Sequence, residues 1–406
     1  MARTLFAMPD YWRLWAIGGL TGVARWLEFL ALSVFAFEVT RSAPMVALLA
    51  IMRMLPYVLL GIATGALADM FDRRRLLLAG IGLVLLTSST MTALALSGQA
   101  GYWSVVAATL VSGFFWVTDM PVRRRLLVDL VGAARVPSAL GYDNSTSYAT
   151  RAIGPIIGGA AYQALGLQGI FALSALVYGV CLLLALGLSR PERIVGEKAS
   201  AAIHGLGFLL PPKELLYNRA FLIILGITFV YNVWCFPFVT MVPVLAQKDF
   251  GLSPVGVGML SACDGIGGTL GAILVGMLAK EHTFFRYYFL GTLAFLVLLG
   301  LLSLHLIVPT AAVGLFLIGA SAACFSASQY ALVYLVSPPH LRGRAAGFLS
   351  IFIGSAVIGF YNAGALFESY ASATAMSLMA AQGLIPMLIL GILWWRTPSL
   401  RSSTAA

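Results

Sequence analysis

The chain has 406 residues, of which 60% are hydrophobic, 12% aromatic and only 10% charged, with a formal net charge of +10. Soluble domains carry about 25% charged residues, so an ordinary soluble enzyme is excluded, and the many aromatics with few charges exclude a disordered chain. What remains is an all-α polytopic membrane protein, long enough for about a dozen spans of roughly 20 residues each.

Apolar runs bounded by charge or turn residues predict twelve helices, in chain order near 12–39, 44–68, 76–97, 102–120, 137–165, 168–189, 219–247, 253–279, 285–306, 309–335, 345–369 and 373–396. The first follows directly on Met1 to Asp10 and contains Arg25 and Glu28, so it reads as a span rather than a cleavable signal. The stretch 191–218 differs: Pro191, Glu192, Arg193, Glu197, Lys198, Pro211, Pro212, Lys213 and Glu214 make it a solvated linker, within which 199–210 can lie flat on the membrane surface. The chain is thereby divided into an N-terminal six-helix bundle at 1–189, a cytoplasmic linker at 190–218 and a C-terminal six-helix bundle at 219–406. Cys181, Cys235, Cys263 and Cys324 all fall inside apolar runs without paired spacing, which predicts neither a disulfide framework nor a metal site.

Lysine and arginine in the short loops set orientation. The termini and the loops after even-numbered spans hold 20 of them, the loops after odd-numbered spans hold two (Arg41 and Lys248), and Arg25, Arg53 and Arg151 lie within spans. This bias predicts both termini in the cytoplasm of a multi-pass cell-membrane protein of bacterial inner-membrane type. The net charge is then a topology signal and not a nucleic-acid footprint. The halves also echo each other: Gly65-Ala-Leu-Ala-Asp69 recurs as Gly276-Met-Leu-Ala-Lys280, and Arg123 to Gly141 has a looser counterpart in Gln329 to Gly347, offset by 206. Such repeats suggest two similar bundles that rock around a central site.

Two motifs carry more than hydropathy. Gly65-Ala-Leu-Ala-Asp69-Met70-Phe71-Asp72-Arg73-Arg74-Arg75 joins the second span to the third. Its glycine permits close helix approach, its carboxylate suits a neighbouring helix N-terminus, and its arginines suit lipid phosphate or a cytoplasmic gate. In the fifth span, Gly141, Thr150 and Gly154-Pro155-Ile156-Ile157-Gly158-Gly159 combine small residues for tight packing with a proline that bends the helix.

The first motif resembles the loop signature Gly-x-x-x-Asp-Arg-x-Gly-Arg-Arg of the major facilitator superfamily, with Met70 in place of the first arginine and Asp72 in place of the second glycine. The second is similar to that family's antiporter motif, with Thr150 replacing one glycine, and in the family it accompanies exporters. The family's fourth-span arginine signature is not recognisable, because the residue four before Gly113 is Thr109. Pro121-Val-Arg-Arg-Arg-Leu-Leu-Val-Asp129-Leu-Val and Pro338-Pro-His-Leu-Arg342-Gly-Arg344 further resemble loops of the branch that contains the enterobactin exporter and macrolide-efflux proteins. The resemblance covers nearly the whole chain. It implies twelve transmembrane helices in two pseudo-symmetric six-helix bundles, with Gly65, Asp69, Asp72, Arg73, Arg74, Gly154, Pro155, Gly158 and Gly159 as gating or conformational residues.

Soluble chemistries find no support. No phosphate-binding Gly-x4-Gly-Lys-Ser/Thr occurs, which argues against a built-in ATPase motor. Gly265-Ile-Gly267-Gly268-Thr-Leu-Gly271 lies in mid-span and reads as packing glycine; His204, His282, His305 and His340 are scattered singly and suggest no metal.

Charges at membrane depth cost about 2.5–3.5 kcal/mol each on insertion scales, so they normally face a cavity or a partner. Here they are Arg25 and Glu28 in span one, Arg53 in two, Asp143 and Arg151 in five, and Asp264 in eight, whereas the interiors of spans three, six, nine and twelve have none. Those four spans are peripheral in the family fold. Arg25 and Glu28 are three residues apart and predicted as neighbours on one helical face. Glu28 or Asp264 is the expected proton-coupling group, and Arg25, Arg53 and Arg151 are expected to hold an anionic part of the substrate. Asp143, near the cytoplasmic end of its span, suits gating. Asp119 and Glu368, near span ends, are expected to see water. In span seven Tyr231, Asn232, Trp234 and Phe236 precede Pro237, a possible helix break, and Asn232 is the candidate polar contact.

The resulting expectation is a secondary transporter, not an enzyme, exporting a small amphipathic or siderophore-like molecule against protons by alternating access. It would act as a monomer among membrane lipids, without cofactor, metal or nucleic acid. The alternatives are an importer or lysophospholipid-type transporter of the same fold, or a membrane sensor without flux.

Overall fold

The computed structural model describes residues 5–60, 72–132, 135–189, 212–279 and 281–396. Among them, α1 is Pro9–Thr40, α2 Ala43–Leu60, α3 Arg73–Leu96 and α4 Tyr102–Val131. The run Val136–Leu186 is broken at Gly166, whose φ of 66° and ψ of −162° are open to glycine alone, giving α5 before it and α6 after it. Then follow α7 Arg219–Lys248, α8 Pro254–Leu278, α9 Phe284–Leu304, α10 Val308–Val336, α11 Arg342–Ser369 and α12 Ser372–Trp395. Local chemistry sets several of these starts: Asp72, Asn218 and Ser253 cap α3, α7 and α8 by accepting a hydrogen bond from the backbone three residues on. Among the described residues, twelve long helices stand where twelve spans were predicted.

Two expectations need correction. Span four does not stop near residue 120 but stays helical to Val131, so Arg123, Arg124 and Arg125 project from a helix rather than a loop. The extra turns bury Val122, Leu126, Leu127 and Val131, and Arg123 finds buried partners, which together outweigh the polar sequence. Pro237 does not break span seven. A π-turn at Tyr231–Cys235 precedes it, and the helix continues to Lys248. The wider turn accommodates the hydrogen bond that the proline cannot donate.

Exposed leucine, isoleucine and valine coat α3, α6, α9 and α12, including Leu86, Leu183, Leu301 and Leu388, as lipid-facing helices require. The halves are joined most closely at the end carrying the sparsely charged loops. There a single buried core runs from Val34, Phe37, Val46 and Ala47 of α1 and α2 into Phe238, Met241 and Val242 of α7. A second core, around Leu14, Ile17, Ile81 and Phe115, belongs to the N-terminal half alone and lies toward the basic end.

Glycine sets the seam. A Cβ on Gly258 of α8 would stand 2.5 Å from the Pro155 carbonyl of α5, and one on Gly265 would stand 2.5 Å from Ala152. A Cβ on Gly159 would collide with the Pro254 carbonyl. On the other face of α5, Cβ atoms on Gly154 and Gly158 would strike Trp26 and Leu27 of α1. The span-five motif is therefore the wedge between α1 and α8.

Candidate functional site

Across that seam, Arg151 of α5 meets Asp264 of α8. The guanidinium donates from Nε to Oδ2 at 2.8 Å, and Nη2 stands 2.7 Å from the same oxygen. The side chains are 15% and 4% exposed, low enough that water screens the pair little. Glycine at 265 lets α5 approach closely enough for the two ions to touch. Arg151 also lies over the Trp26 ring, 5.2 Å from its centroid, and Asp264 Oδ1 has no hydrogen-bond partner among the described residues. The pair stands in a narrow cleft with Trp26, Phe29, Leu30 and Pro155 on one side and Val239, Val242, Pro243 and Ser261 on the other. Asp264 is ten residues into α8, about 15 Å along the axis and so near mid-depth. The free volume of about 20 Å³ suits a single water. Any substrate needs the halves to move.

The other deep charges gather separately, inside the N-terminal half. Arg25 and Glu28 share a helix face but do not pair. Arg25 instead reaches α4, where Nη2 stands 3.2 Å from Asp119 Oδ2 and the guanidinium covers Trp116 at 4.4 Å. Asp119 is 3% exposed, so the expectation that it sees water is wrong; α4 continues past it and buries it. Arg53 packs over Trp116 at 4.7 Å and Phe29 at 5.5 Å. Glu28 is buried beside Arg53 and the Ser174 and Tyr178 hydroxyls of α6. Its Oε1 and both hydroxyls lack a hydrogen-bond partner among the described residues.

Toward the basic end, an ionic chain ties α1, α4 and α5. Arg123 pairs with Asp143 and lies 3.7 Å from Asp119, while Arg124 Nε donates to Asp143 Oδ2 at 2.9 Å. Gly18 of α1 makes the room: a Cβ there would sit 2.5 Å from Arg123 Cζ. Asp143, expected to gate, is held within one half. Of the loop motif, Gly65 and Asp69 lie outside the described residues. Asp72 caps α3, Arg73 pairs with Asp129 of α4, and Arg74 donates to the Leu186 carbonyl at 2.8 Å, so the described part also acts within one half. Asn232 donates to the Thr228 carbonyl of its own helix at 2.8 Å. Its neighbour Tyr231 is the one that approaches Arg151, and it stacks on Phe325 at 3.7 Å.

At the opposite end the halves are clasped. Glu38 of α1 accepts from Tyr162 at 2.7 Å and from Gln247 of α7 at 3.3 Å. Glu368 of α11 accepts from the Ala43 N–H at the start of α2, 3.0 Å away, while the residue stays exposed, as expected for a carboxylate near a span end.

Comparison with known proteins agrees with this architecture. The family model described as Major Facilitator Superfamily matches residues 14–361. The chain belongs to that superfamily. It is similar to the staphyloferrin A transporter of Staphylococcus aureus, 24% identical over 70% of this chain and 72% of that protein. It is also similar to macrolide efflux protein A of Streptococcus pyogenes, 19% identical over 66% of each. Among solved structures, the D323A mutant of the nucleoside transporter NupG superposes with a TM-score of 0.78 at 13% identity, covering 95% of this chain and all of that one. The chain is thus a multi-pass membrane transporter of the major facilitator fold.

Within this superfamily fold, sequence reasoning missed several residues. Ser174 and Tyr178 lie on α6, a span free of ionised residues, and only packing brings them to Glu28. Trp26 and Trp116 pass for lipid-facing aromatics until the arginines are seen over them. Arg123 was legible in principle: apolar Val122, Leu126 and Leu127 follow helical spacing through the basic run.

Proposed function

We propose that this transporter exports a small amphipathic or siderophore-like molecule with an anionic group, driven by protons through alternating access. The observation that carries the reading is the Arg151–Asp264 pair, which bridges the two halves in a mid-depth cleft walled by both. Separating α5 from α8 breaks the pair, and an uncompensated buried ion costs about 3–5 kcal/mol. A proton on Asp264 removes one charge, and the carboxylate of a substrate can then neutralise the freed Arg151. Proton and substrate thereby alternate as partners of the same two residues. Apolar walls suit the hydrocarbon part of such a molecule. The exporter-associated motif forms the wedge at this seam, and the names of two relatives, a siderophore transporter and a macrolide efflux protein, support the substrate range and the direction. Glu28, buried with unpartnered neighbours, is the second candidate for the coupling proton.

A compound panel screened in an efflux-deficient strain, with and without a protonophore, identifies a substrate. Flux into inside-out liposomes then tests the coupling. D264N is expected to lose gradient-driven accumulation while keeping downhill exchange. Full proton-coupled flux in both D264N and E28Q would refute the reading.

A further inference from the structure

The end of the molecule with few charged loops holds a second cavity, of about 340 Å³, lined by Phe37, Arg41, Gln247, Lys248, Phe367 and Glu368 among others. Arg41 and Lys248 are the two basic residues of the loops after odd-numbered spans, one from each half, and the fold brings both to this single cavity. Arg41 directly follows α1 and Lys248 is the last residue of α7, so the first helix of each half brings one cation to the same end of the molecule.

The backbone adds an independent sign. Arg41 caps α1 at φ 52°, the one non-glycine residue at positive φ among those described, whereas the turn after α7 uses Gly251 at φ 61°. Glycine would occupy such a position without strain, so the arginine stands there at a backbone cost that its side chain must offset. That guanidinium makes no hydrogen bond or ion pair among the described residues. Lys248 Nζ donates to the Phe367 carbonyl at 3.1 Å, which leaves two of its three donors free. Among the described residues Glu368 forms no ion pair with Lys248 or Arg41; its Oε2 accepts from the Ala43 N–H.

Position links this vestibule to the central cleft. On α7 the cleft uses Val239, Val242 and Pro243, and the vestibule uses the next residues, Val244, Gln247 and Lys248. On α1 the step from Leu30 to Phe37 is about 10 Å. The Glu38–Gln247 contact stands at the vestibule itself, where Gln247 is a lining residue.

We propose that the vestibule is an oxyanion station on the transport route, where Arg41 and Lys248 together receive a carboxylate of the substrate after it leaves Arg151. This rests on the transport reading above. It assigns the route two cationic stops, one in the central cleft and one in the vestibule, and it makes the substrate class carboxylate-bearing.

The test uses the full-length protein in detergent, with citrate as probe at constant ionic strength. Acetylation of Lys248 by an amine-reactive ester is followed by peptide mass spectrometry, with exposed Lys213 at the other end as reference. Citrate is expected to slow acetylation of Lys248 severalfold at millimolar concentration and to leave Lys213 unchanged. R41Q should abolish the protection, and R151Q should preserve it. Equal slowing at both lysines, or protection that survives R41Q, overturns the proposal. Inorganic phosphate protecting at a tenth of the citrate concentration overturns the carboxylate assignment in favour of a phosphoryl group. Because no flux is measured, failure here leaves the proton-coupled reading standing, and failure of coupling leaves this result intact.

Discussion

Replacing Asp264 by leucine, Arg151 by methionine, and both together should reveal how strongly the halves are latched at the centre. Two guanidinium nitrogens stand 2.8 and 2.7 Å from one carboxylate oxygen, with side-chain exposures of 15% and 4%. Two unit charges about 4 Å apart attract by about 4 kcal/mol at an effective dielectric of roughly 20. Truncating one partner of a buried pair costs about 3–5 kcal/mol, because the other ion is left uncompensated. The single costs should differ. Without Asp264, Arg151 keeps the Trp26 face at 5.2 Å, which returns about 0.5–2 kcal/mol. Without Arg151, Asp264 has nothing comparable, and its Oδ1 already lacks a partner. D264L is thus expected near the lower end of that range and R151M near the upper. The double variant, with no orphan charge, should be less destabilised than either single, as replaced buried pairs often are. Reversible unfolding of the purified variants in mixed micelles measures the cycle. Additivity of the single effects to within about 0.5 kcal/mol would mean that the pair does not latch the halves.

Three further outcomes follow from the packing. Gly159→Val should lower the melting temperature and block transport, since its Cβ collides with the Pro254 carbonyl, whereas Gly141→Val, with nothing within 4 Å of the Cβ, should leave the melting temperature unchanged. Arg123→Met removes the buried partner of Asp143 and Asp119 and should cost about 3–5 kcal/mol in micelle unfolding. Arg124→Met, at a 33% exposed side chain, should cost about 1 kcal/mol or less in the same measurement. Arg41→Gly relieves a left-handed residue and should stabilise slightly, by about 0.5–1 kcal/mol, while removing citrate protection of Lys248.

The twelve spans and the superfamily motifs were legible in the sequence because their causes are local. Each span must satisfy its own backbone in lipid, so apolar length alone marks it. The charge-free spans were legible for the same reason, since an ion costs too much on a helix that faces hydrocarbon. The candidate ions were legible as a set, and Glu28, Arg53 and Asp264 are all buried. Their pairing was not. Sequence spacing made Arg25 and Glu28 neighbours, yet a guanidinium is long enough to reach another helix, and Asp119 of α4 outcompeted the residue three places away. Asp119 itself was discounted because the fourth span seemed to end beside it. Tertiary burial of Leu126, Leu127 and Val131 extended that helix past the polar signal. The division of one predicted site into a central pair, an N-half cluster and an ionic chain toward the basic end was likewise decided by helix crossings. Hydropathy is a property of each segment in its solvent, whereas the choice of ionic partner depends on which helices meet, at what height, and how closely their glycines let them approach.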